Sequence, residues 1–341
     1  MDFVEEIQKL KDKWGKELIL LAHHYQRHEI ADLGDRLGDS YELARAASQA
    51  GEARFIVFCG VRFMAEAAEV LRRESQMVVH PVAEAGCPLA DFAPTGQAQE
   101  AWDYIAGVRG GDAVMPLVYM NSSAALKAMV GRYGGSVCTS SNAGRAFEWG
   151  LSRREAVFFF PDEHLGRNSA KGVGISPEHV VLWDPQKKGG GIEPGALKNA
   201  KAILWKGYCH VHTNFTPEDV HAARERFPGA RVLVHPECPV EVTSLADGAG
   251  STSYLVKEVE NAEPGTTLVI GTEVNLVTRL ARDHQDRTVV PLKDSLCHDM
   301  FRISPESLLD SLRSLPGPEV VTLPEDVKKD AKLALERMLS I

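Results

Sequence analysis

Cysteine is the residue type in this sequence that most directly indicates metal chemistry. The six cysteines are Cys59, Cys87, Cys138, Cys209, Cys238 and Cys297. No two of them have the Cys-x2-Cys spacing of zinc knuckles or ferredoxin-type clusters, which argues against both kinds of site. Any single cysteine is adequately explained as a small buried core residue. Widely separated ligands stay open as an alternative, provided that different parts of the fold bring them together.

Histidines accompanied by acid–base groups follow three predicted strands. The segments are His23-His24-Tyr25-Gln26, His210-Val211-His212 and His235-Pro236-Glu237. One histidine at a strand end is usually structural, but three at the same topological position indicate a shared cleft. Tyr25 and Glu237 are the candidate acid–base groups in these segments.

Serine and threonine clusters follow other predicted strands. They are Gly38-Asp39-Ser40, Asn121-Ser122-Ser123, Thr139-Ser140-Ser141-Asn142 and Gly250-Ser251-Thr252-Ser253. Each cluster alone is explained by helix capping. As a set, they lie where parallel α/β proteins bind ligands, and free N–H groups at helix starts attract phosphate and carboxylate. The set therefore predicts a substrate with several anionic groups.

Strands and helices alternate along the whole chain. The predicted strands are Glu17–Ala22, Arg54–Cys59, Gln76–His80, Ala113–Tyr119, Ser136–Thr139, Ala156–Phe160, His179–Trp183, Ala202–Trp205, Arg231–His235, Thr266–Ile270 and Thr288–Leu292. Continuous apolar strands separated by helices indicate an α/β protein with parallel sheets covered on both faces. A (β/α)8 barrel, one large doubly wound sheet and several small sheets all fit this strand count.

Two internal echoes favour several small units. Val78-Val79-His80-Pro81 recurs as Leu233-Val234-His235-Pro236, and a cysteine follows each. The strand ends that run into the serine- and threonine-rich helix starts quoted above also recur. The polar, glycine-rich stretch Gly166–Asn199 is interpreted as an elaborated connection carrying one strand. The tail Ser304–Ile341 has the apolar spacing of two amphipathic helices, which we expect to cover an open edge.

Composition limits the function further. The chain has 341 residues, with 44% hydrophobic and 25% charged residues, which is typical of a globular protein and excludes fibrous or disordered classes. Its net charge of −9 argues against nucleic acid as a partner. No apolar run is long enough to span a membrane, and Met1–Trp14 lacks a signal-peptide core, so we expect a cytoplasmic protein.

Segments spread over nearly the whole chain resemble the quinolinate synthase family. They are Ala22-His23-His24-Tyr25-Gln26, Gly38-Asp39-Ser40, Phe58-Cys59-Gly60-Val61-Arg62-Phe63-Met64, Tyr119-Met120-Asn121, Thr139-Ser140-Ser141-Asn142-Ala143, Pro161-Asp162-Glu163-His164-Leu165-Gly166-Arg167-Asn168, Trp205-Lys206-Gly207-Tyr208-Cys209, His235-Pro236-Glu237-Cys238, Gly250-Ser251-Thr252 and Cys297-His298-Asp299-Met300. That family acts in de novo NAD biosynthesis. It condenses iminoaspartate with dihydroxyacetone phosphate to quinolinate, releasing phosphate and water. The resemblance implies these two small-molecule substrates, and the upstream enzyme that supplies iminoaspartate as a partner.

The resemblance also implies a fold. It is an α/β fold of three homologous three-layer αβα sandwich domains, each with a small parallel sheet, in a pseudo-threefold arrangement. The expected domains are residues 1–90, residues 91–208 with an insertion near 166–199, and residues 209–299. The C-terminal helices of residues 300–341 are expected to pack back on the first domain. This arrangement agrees with the internal echoes and would reject the barrel.

A [4Fe–4S] cluster is implied by the same resemblance. Its ligands would be Cys87, Cys209 and Cys297, one from each domain. Three ligands leave one iron open, and an open iron acts as a Lewis acid on a substrate hydroxyl or carbonyl.

Catalytic and binding roles are carried over from the family motifs. Tyr25 and Glu237 would perform acid–base chemistry, with His235 and Thr252 orienting Tyr25. The remaining residues would bind the substrate carboxylates and phosphate, with His212 lying near the cluster. They are His23, Ser40, Tyr119, Asn121, Ser140, Ser251 and His212.

One departure from the family pattern concerns redox control. Some members carry cysteines three and six residues before the last ligand, and these can form a redox-sensitive disulfide. Asp294 and Pro291 stand at those positions here, so we expect no such switch. Cys59, Cys138 and Cys238 are then interpreted as packed thiols.

Two functions of other classes stay open. A zinc-dependent lyase or hydrolase would use the same cysteine and histidine types, although the His-Glu-x-x-His pattern is missing. An anion-binding module without catalysis would use only the serine and threonine clusters. Iron and sulfide content separates the first from a quinolinate synthase, and turnover separates the second.

Overall fold

The computed structural model describes residues 3–341, and Met1 and Asp2 lie outside the description. Thirteen strands lie within that range. They are β1 Leu18–His23, β2 Arg36–Gly38, β3 Phe55–Cys59, β4 Met77–Val79, β5 Val114–Tyr119, β6 Ser136–Cys138, β7 Ala156–Phe160, β8 Val180–Trp183, β9 Ala202–Trp205, β10 Arg231–Val234, β11 Gly248–Ala249, β12 Thr267–Gly271 and β13 Thr288–Pro291. All the predicted strands are confirmed to within one residue at either end. The sequence pattern does not predict β2 and β11, which are too short to carry an apolar run.

Helices fill the connections between the strands. They are α1 Phe3–Trp14, α2 His28–Ala31, α3 Ser40–Ser48, α4 Arg62–Leu71, α5 Pro88–Asp91, α6 Thr95–Arg109, α7 Ala124–Arg132, α8 Ala143–Leu151, α9 Glu163–Gly172, α10 Pro194–Asn199, α11 His210–Thr213, α12 Pro217–Arg226, α13 Val240–Leu245, α14 Thr252–Glu260, α15 Val274–Asp283, α16 Pro305–Ser314 and α17 Glu325–Ser340. No helix of residues 3–341 is long and apolar enough to cross a membrane.

The strands of residues 3–341 form three separate sheets, and every pairing within them is parallel. The first sheet has the order β2-β1-β3-β4 and the third has the order β11-β10-β12-β13. The second has the order β6-β5-β7-β9-β8, which is the same order with one strand added at the edge. Helices flank the sheets, so the α/β fold with small parallel sheets is confirmed and the single barrel is excluded. We call the three sheets with their helices the first, second and third units.

The added strand β8 belongs to the stretch that we interpreted as an elaborated connection. This stretch does carry one strand, but its first residues are helical and not irregular. Helix α9 continues through them because the Asp162 carboxylate caps its start, with Oδ1 2.6 Å from the Leu165 amide nitrogen. Gly166 lets α9 lie against the sheet, since a Cβ there would come within 2.8 Å of Leu204.

Both predicted tail helices are present. Helix α16 packs against α1 of the first unit, whereas α17 lies across α7 and the edge strand β6 of the second unit. The Asn142 side chain donates a 3.3 Å hydrogen bond to the carbonyl of Met338 in α17. The tail therefore spans two units, and the domain boundaries stay a prediction.

The core explains why the strands read as continuous apolar runs. All five residues of β7 are fully buried, which is expected of a strand with helices on both faces of its sheet. Among them, the Phe158 and Phe160 rings pack edge to face with centroids 4.8 Å apart. This packing fixes the strand ends from which the polar loops project.

Candidate active site

The loops that leave the carboxyl ends of the strands converge on one cavity. The empty space there, part of which is open to solvent, is about 670 Å³. Most of the residues predicted for the site line it: His23, Tyr25, Ser40, Cys87, Tyr119, Asn121, Ser140, Cys209, His212, His235, Glu237, Thr252 and Cys297. Ser251 does not line the cavity. Its hydroxyl instead accepts a 3.3 Å hydrogen bond from the Tyr254 amide, which caps helix α14.

The three cysteines predicted as ligands come from equivalent places in the three units. Each follows the last strand of the common order: Cys87 follows β4, Cys209 follows β9 and Cys297 follows β13. All three are free and half-buried, and they line the same cavity. We call these three residues the cysteine junction.

Burial sets the electrostatics of this junction. It raises the pKa of all three thiols, and the pKa of Cys297 rises to about 12. The acidic groups nearby and the other two thiols raise the pKa of Cys209 further. Three soft sulfur donors that face one cavity from separate loops fit an iron–sulfur cluster with one iron not bound by a cysteine.

A second junction joins the three units through hydrogen bonds. The Asp39 carboxylate, which follows β2, accepts 2.7 Å hydrogen bonds at Oδ2 from the hydroxyls of Ser141 and Ser253. Ser141 follows β6 and Ser253 follows β11, so each unit contributes one residue. We call these three residues the serine junction. Their motifs were quoted above as helix caps and, as a set, as anion-binding residues, but not as contacts between units.

These contacts stabilise the ionised form of the Asp39 carboxylate. Burial alone would raise the pKa of its carboxyl. The backbone N–H of Glu42 and the hydroxyls of Ser253 and Ser141 outweigh burial and lower the pKa below its ordinary value. Asp39 also caps helix α3 through Oδ1, which accepts from the amides of Tyr41 and Glu42 at 2.9 and 3.0 Å.

Tyr25 lines the same cavity, and its hydroxyl is held by two threonines. Thr252 donates to the Tyr25 oxygen at 3.0 Å, and the oxygens of Tyr25 and Thr272 are 2.8 Å apart. Thr252 was predicted for this role. Thr272 was not, because a lone threonine after a strand carries no sequence signal. His235, also predicted to orient Tyr25, has no hydrogen bond to it in the described residues. Its ring instead stacks on that of His212 at 4.1 Å.

Glu237 forms a close group with two histidines. Its Oε2 lies 2.6 Å from His212 Nδ1 and 3.3 Å from His235 Nδ1. Burial would raise the pKa of Glu237, but the two histidines lower it below its ordinary value. Burial also lowers the pKa of His212 to about 4. The group therefore consists of an ionised carboxylate beside a neutral imidazole.

Tyr25 and His23 are two further buried titratable groups of the cavity. Burial raises the pKa of Tyr25 well above its ordinary value, so this hydroxyl stays protonated. Burial lowers the pKa of His23 to about 4, so this ring is neutral. The Tyr25 amide donates to His23 Nδ1 at 3.1 Å, which orients the ring.

Two buried carboxylates behind the cavity were also missed. Asp162 and Glu273 each follow the third strand of a unit and cap the next helix. The Glu273 carboxylate also accepts a 3.4 Å hydrogen bond from the backbone amide of Cys297. Their helix-capping role could have been predicted from sequence, because each is an acidic residue directly after a strand and before a helix. The contact of Glu273 with the Cys297 loop could be seen only in the folded structure.

Comparison with known proteins agrees with the geometry. The family model described as Quinolinate synthetase A protein matches residues 5–340. The quinolinate synthase of Acidobacterium capsulatum is 46% identical over 345 residues, covering 99% of this chain and 92% of the relative. The quinolinate synthase of Corynebacterium glutamicum is 45% identical, covering 98% of this chain and 86% of the relative. That of Bacillus subtilis is 43% identical, covering 100% and 93%.

Proposed function

The chain belongs to the quinolinate synthase family and is an enzyme of NAD biosynthesis, and on that premise we propose how its residues perform the reaction. The substrates are iminoaspartate and dihydroxyacetone phosphate. They condense in the cavity to quinolinate, with loss of phosphate and water. The observation that carries this proposal is the convergence of residues from all three units, cysteines and acid–base groups alike, on one cavity.

The cysteine junction holds a [4Fe–4S] cluster. Cys87, Cys209 and Cys297 face one cavity from three separate loops, which supports this assignment. When bound, the cluster supplies an iron with an open position, a Lewis acid for a substrate hydroxyl or carbonyl. Glu273 fixes the backbone of one ligand through its hydrogen bond from the Cys297 amide.

Tyr25 and Glu237 move the protons. The Tyr25 hydroxyl is protonated and is held by Thr252 and Thr272, so it donates a proton to a leaving or carbonyl oxygen. The Glu237 carboxylate is ionised, so it removes a proton from a substrate carbon or nitrogen. Opposite protonation states in one cavity give each group a separate task.

Neutral donors bind the substrate anions. Ser40 and Ser140 line the cavity, and Ser40 is also the first residue of helix α3, where free backbone N–H groups attract anions. His23, Tyr119 and Asn121 line the same cavity and supply further hydrogen bonds. These contacts let a chain with a net charge of −9 bind a phosphate and carboxylates.

The test is a strictly anaerobic preparation assayed for metal and for turnover. We expect brown protein with iron and sulfide in equal amounts, which makes quinolinate from dihydroxyacetone phosphate and the imine of oxaloacetate and ammonia. A colourless zinc protein that turns over without iron would contradict the cluster. A protein with an intact cluster and no turnover would contradict the assigned substrates.

A further inference from the structure

Three donor groups of different chemistry lie together on one side of the cavity. One ligand atom from each of Cys209, His212 and Glu237 lies within 4.8 Å of the other two. The side chains of His212 and Glu237 are only 1% and 3% exposed. A thiol, an imidazole and a carboxylate together form a donor set that is typical of zinc.

Two atoms of this group lack hydrogen-bond partners. Among the described residues, neither His212 Nδ1 nor Glu237 Oε1 has one. His212 Nδ1 lies 2.6 Å from Glu237 Oε2, but the approach falls outside hydrogen-bond geometry. Leaving buried polar atoms unpaired is unfavourable, because they lose the hydrogen bonds that water would make. A cation between them would satisfy both atoms.

The outer contacts of His212 favour metal binding at Nδ1. Its other nitrogen, Nε2, lies 3.1 Å from the Thr272 hydroxyl, and that hydroxyl is 2.8 Å from the Tyr25 oxygen. Metal-binding histidines usually donate their second N–H to such a partner, which fixes the ring orientation. The ring is therefore already turned with Nδ1 toward Glu237.

We propose that Cys209, His212 and Glu237 bind a single Zn²⁺ ion in the chain that carries no cluster. One thiolate and one carboxylate balance the charge of the ion, and the imidazole is the third ligand. Three protein ligands leave a fourth position for water. Because Cys209 belongs to both sets, the zinc ion and the cluster exclude each other. The two sets differ in that zinc needs neither Cys87 nor Cys297.

The difference in ligand sets defines the experiment. The full chain, freed of cluster under reducing conditions, is titrated with Zn²⁺ against a competing chromophoric chelator. We expect one ion per chain. Cys209→Ala removes a ligand, so its affinity should fall by more than the roughly 10–100-fold that loss of a ligand's outer partner costs. Cys87→Ala is the matched control, and we expect it to bind zinc as the parent does. An equal loss in both variants would overturn the proposal, as would a parent chain that binds no zinc.

X-ray absorption of the zinc-loaded chain and two further variants complete the test. We expect one sulfur neighbour with nitrogen and oxygen as the other neighbours, and two or three sulfurs would overturn the assignment. Glu237→Gln and Thr272→Val should each weaken zinc binding by roughly 10-fold or more while the circular dichroism spectrum stays unchanged. Unchanged affinity in folded Glu237→Gln would also overturn it. If the chain does not bind zinc in this way, the proposed reaction is unaffected, because zinc binding is measured on protein without the cluster.

Discussion

The serine junction and the cysteine junction join the same three units in different ways. In the serine junction one carboxylate accepts hydrogen bonds from two hydroxyls, so the contact between units is made by the protein itself. In the cysteine junction no hydrogen bond joins Cys87, Cys209 and Cys297 to one another among residues 3–341. The three thiols themselves therefore do not join the units in the way that the serine junction does.

The difference follows from residue type. The loops after the second strand of each unit contribute different residues to the serine junction, Asp39 in the first unit and serines in the other two. An acceptor and two donors can satisfy one another. After the last strand all three units have a cysteine, and three thiols are poor partners for each other but suitable ligands for one metal group. Unlike residues can therefore join the units directly, whereas three like thiols can join them through a shared ligand.

Replacing a member of the cysteine junction is expected to have the largest effect of the changes considered. Cys87→Ala, Cys209→Ala and Cys297→Ala should each abolish the cluster and turnover, since each removes one of three ligands. Cys138→Ala, at a fully buried cysteine outside the cavity, should retain iron and sulfide. Iron and sulfide are measured after anaerobic preparation. Loss of iron in Cys138→Ala with retention in Cys297→Ala would show that the ligand assignment is wrong.

Replacing Tyr25 separates the chemistry from the cluster, because Tyr25 lines the cavity and is not one of the three cysteine ligands. Tyr25→Phe removes the hydroxyl held by Thr252 and Thr272 and keeps the ring. We expect unchanged iron and sulfide, and a turnover number lower by roughly 10²–10⁴-fold, the usual contribution of a proton donor. Steady-state formation of quinolinate measures it. Near-normal turnover in this variant would remove Tyr25 from the mechanism.

The strands that define the fold were largely predictable, and the sheet order was not. Uninterrupted apolar runs such as Ala156–Phe160 identify strands buried on both faces. Strand β2 is Arg36-Leu37-Gly38 and β11 is Gly248-Ala249, so neither has such a run. Both are edge strands, and the common order of the three sheets appears only when they are included.

The site was predictable where residues fall within motifs, and it was not where contacts join distant parts of the chain. His23, Tyr25 and Glu237 were selected from their positions at strand ends. Asp39 contacts Ser141 and Ser253 across 102 and 214 positions of sequence, and each of the three reads locally as part of a helix start. Local patterns cannot report such a contact, because it depends on how the units pack.

Replacing Asp39 tests whether the serine junction holds the three units together. Asp39→Ala removes a helix cap and two hydrogen bonds to a charged group, so we expect a loss of roughly 4 kcal/mol in the free energy of unfolding. Iron content should stay at the parent level, because none of the three cysteines contacts this junction. Denaturant unfolding measures the loss. A variant as stable as the parent would show that the junction does not hold the units together.

The same carboxylate predicts a pH dependence. Its pKa is lower in the folded chain than the ordinary value of about 3.9, so it binds fewer protons when folded than when unfolded. Its contribution to stability is fully present above about pH 4 and is lost as the pH falls through the folded pKa. Asp39→Asn should flatten this part of the profile, and an unchanged acid profile would contradict the assignment.

Removing the hydroxyls of the serine junction is expected to have the smallest effect on the free energy of unfolding. It is also the most direct test of the geometry of this junction. Ser141→Ala and Ser253→Ala each remove one donor to Asp39 Oδ2 and should each cost about 1.5–3 kcal/mol. Ser48→Ala is the control, because the Ser48 hydroxyl donates only to the Arg45 carbonyl of its own helix at the surface. Since both hydroxyls share one oxygen, their contributions should be coupled, and the double variant should deviate from the sum by at least 0.5 kcal/mol. Strict additivity would mean that the two contacts act separately. The three units would then be joined here by two independent pairs of residues and not by one shared carboxylate.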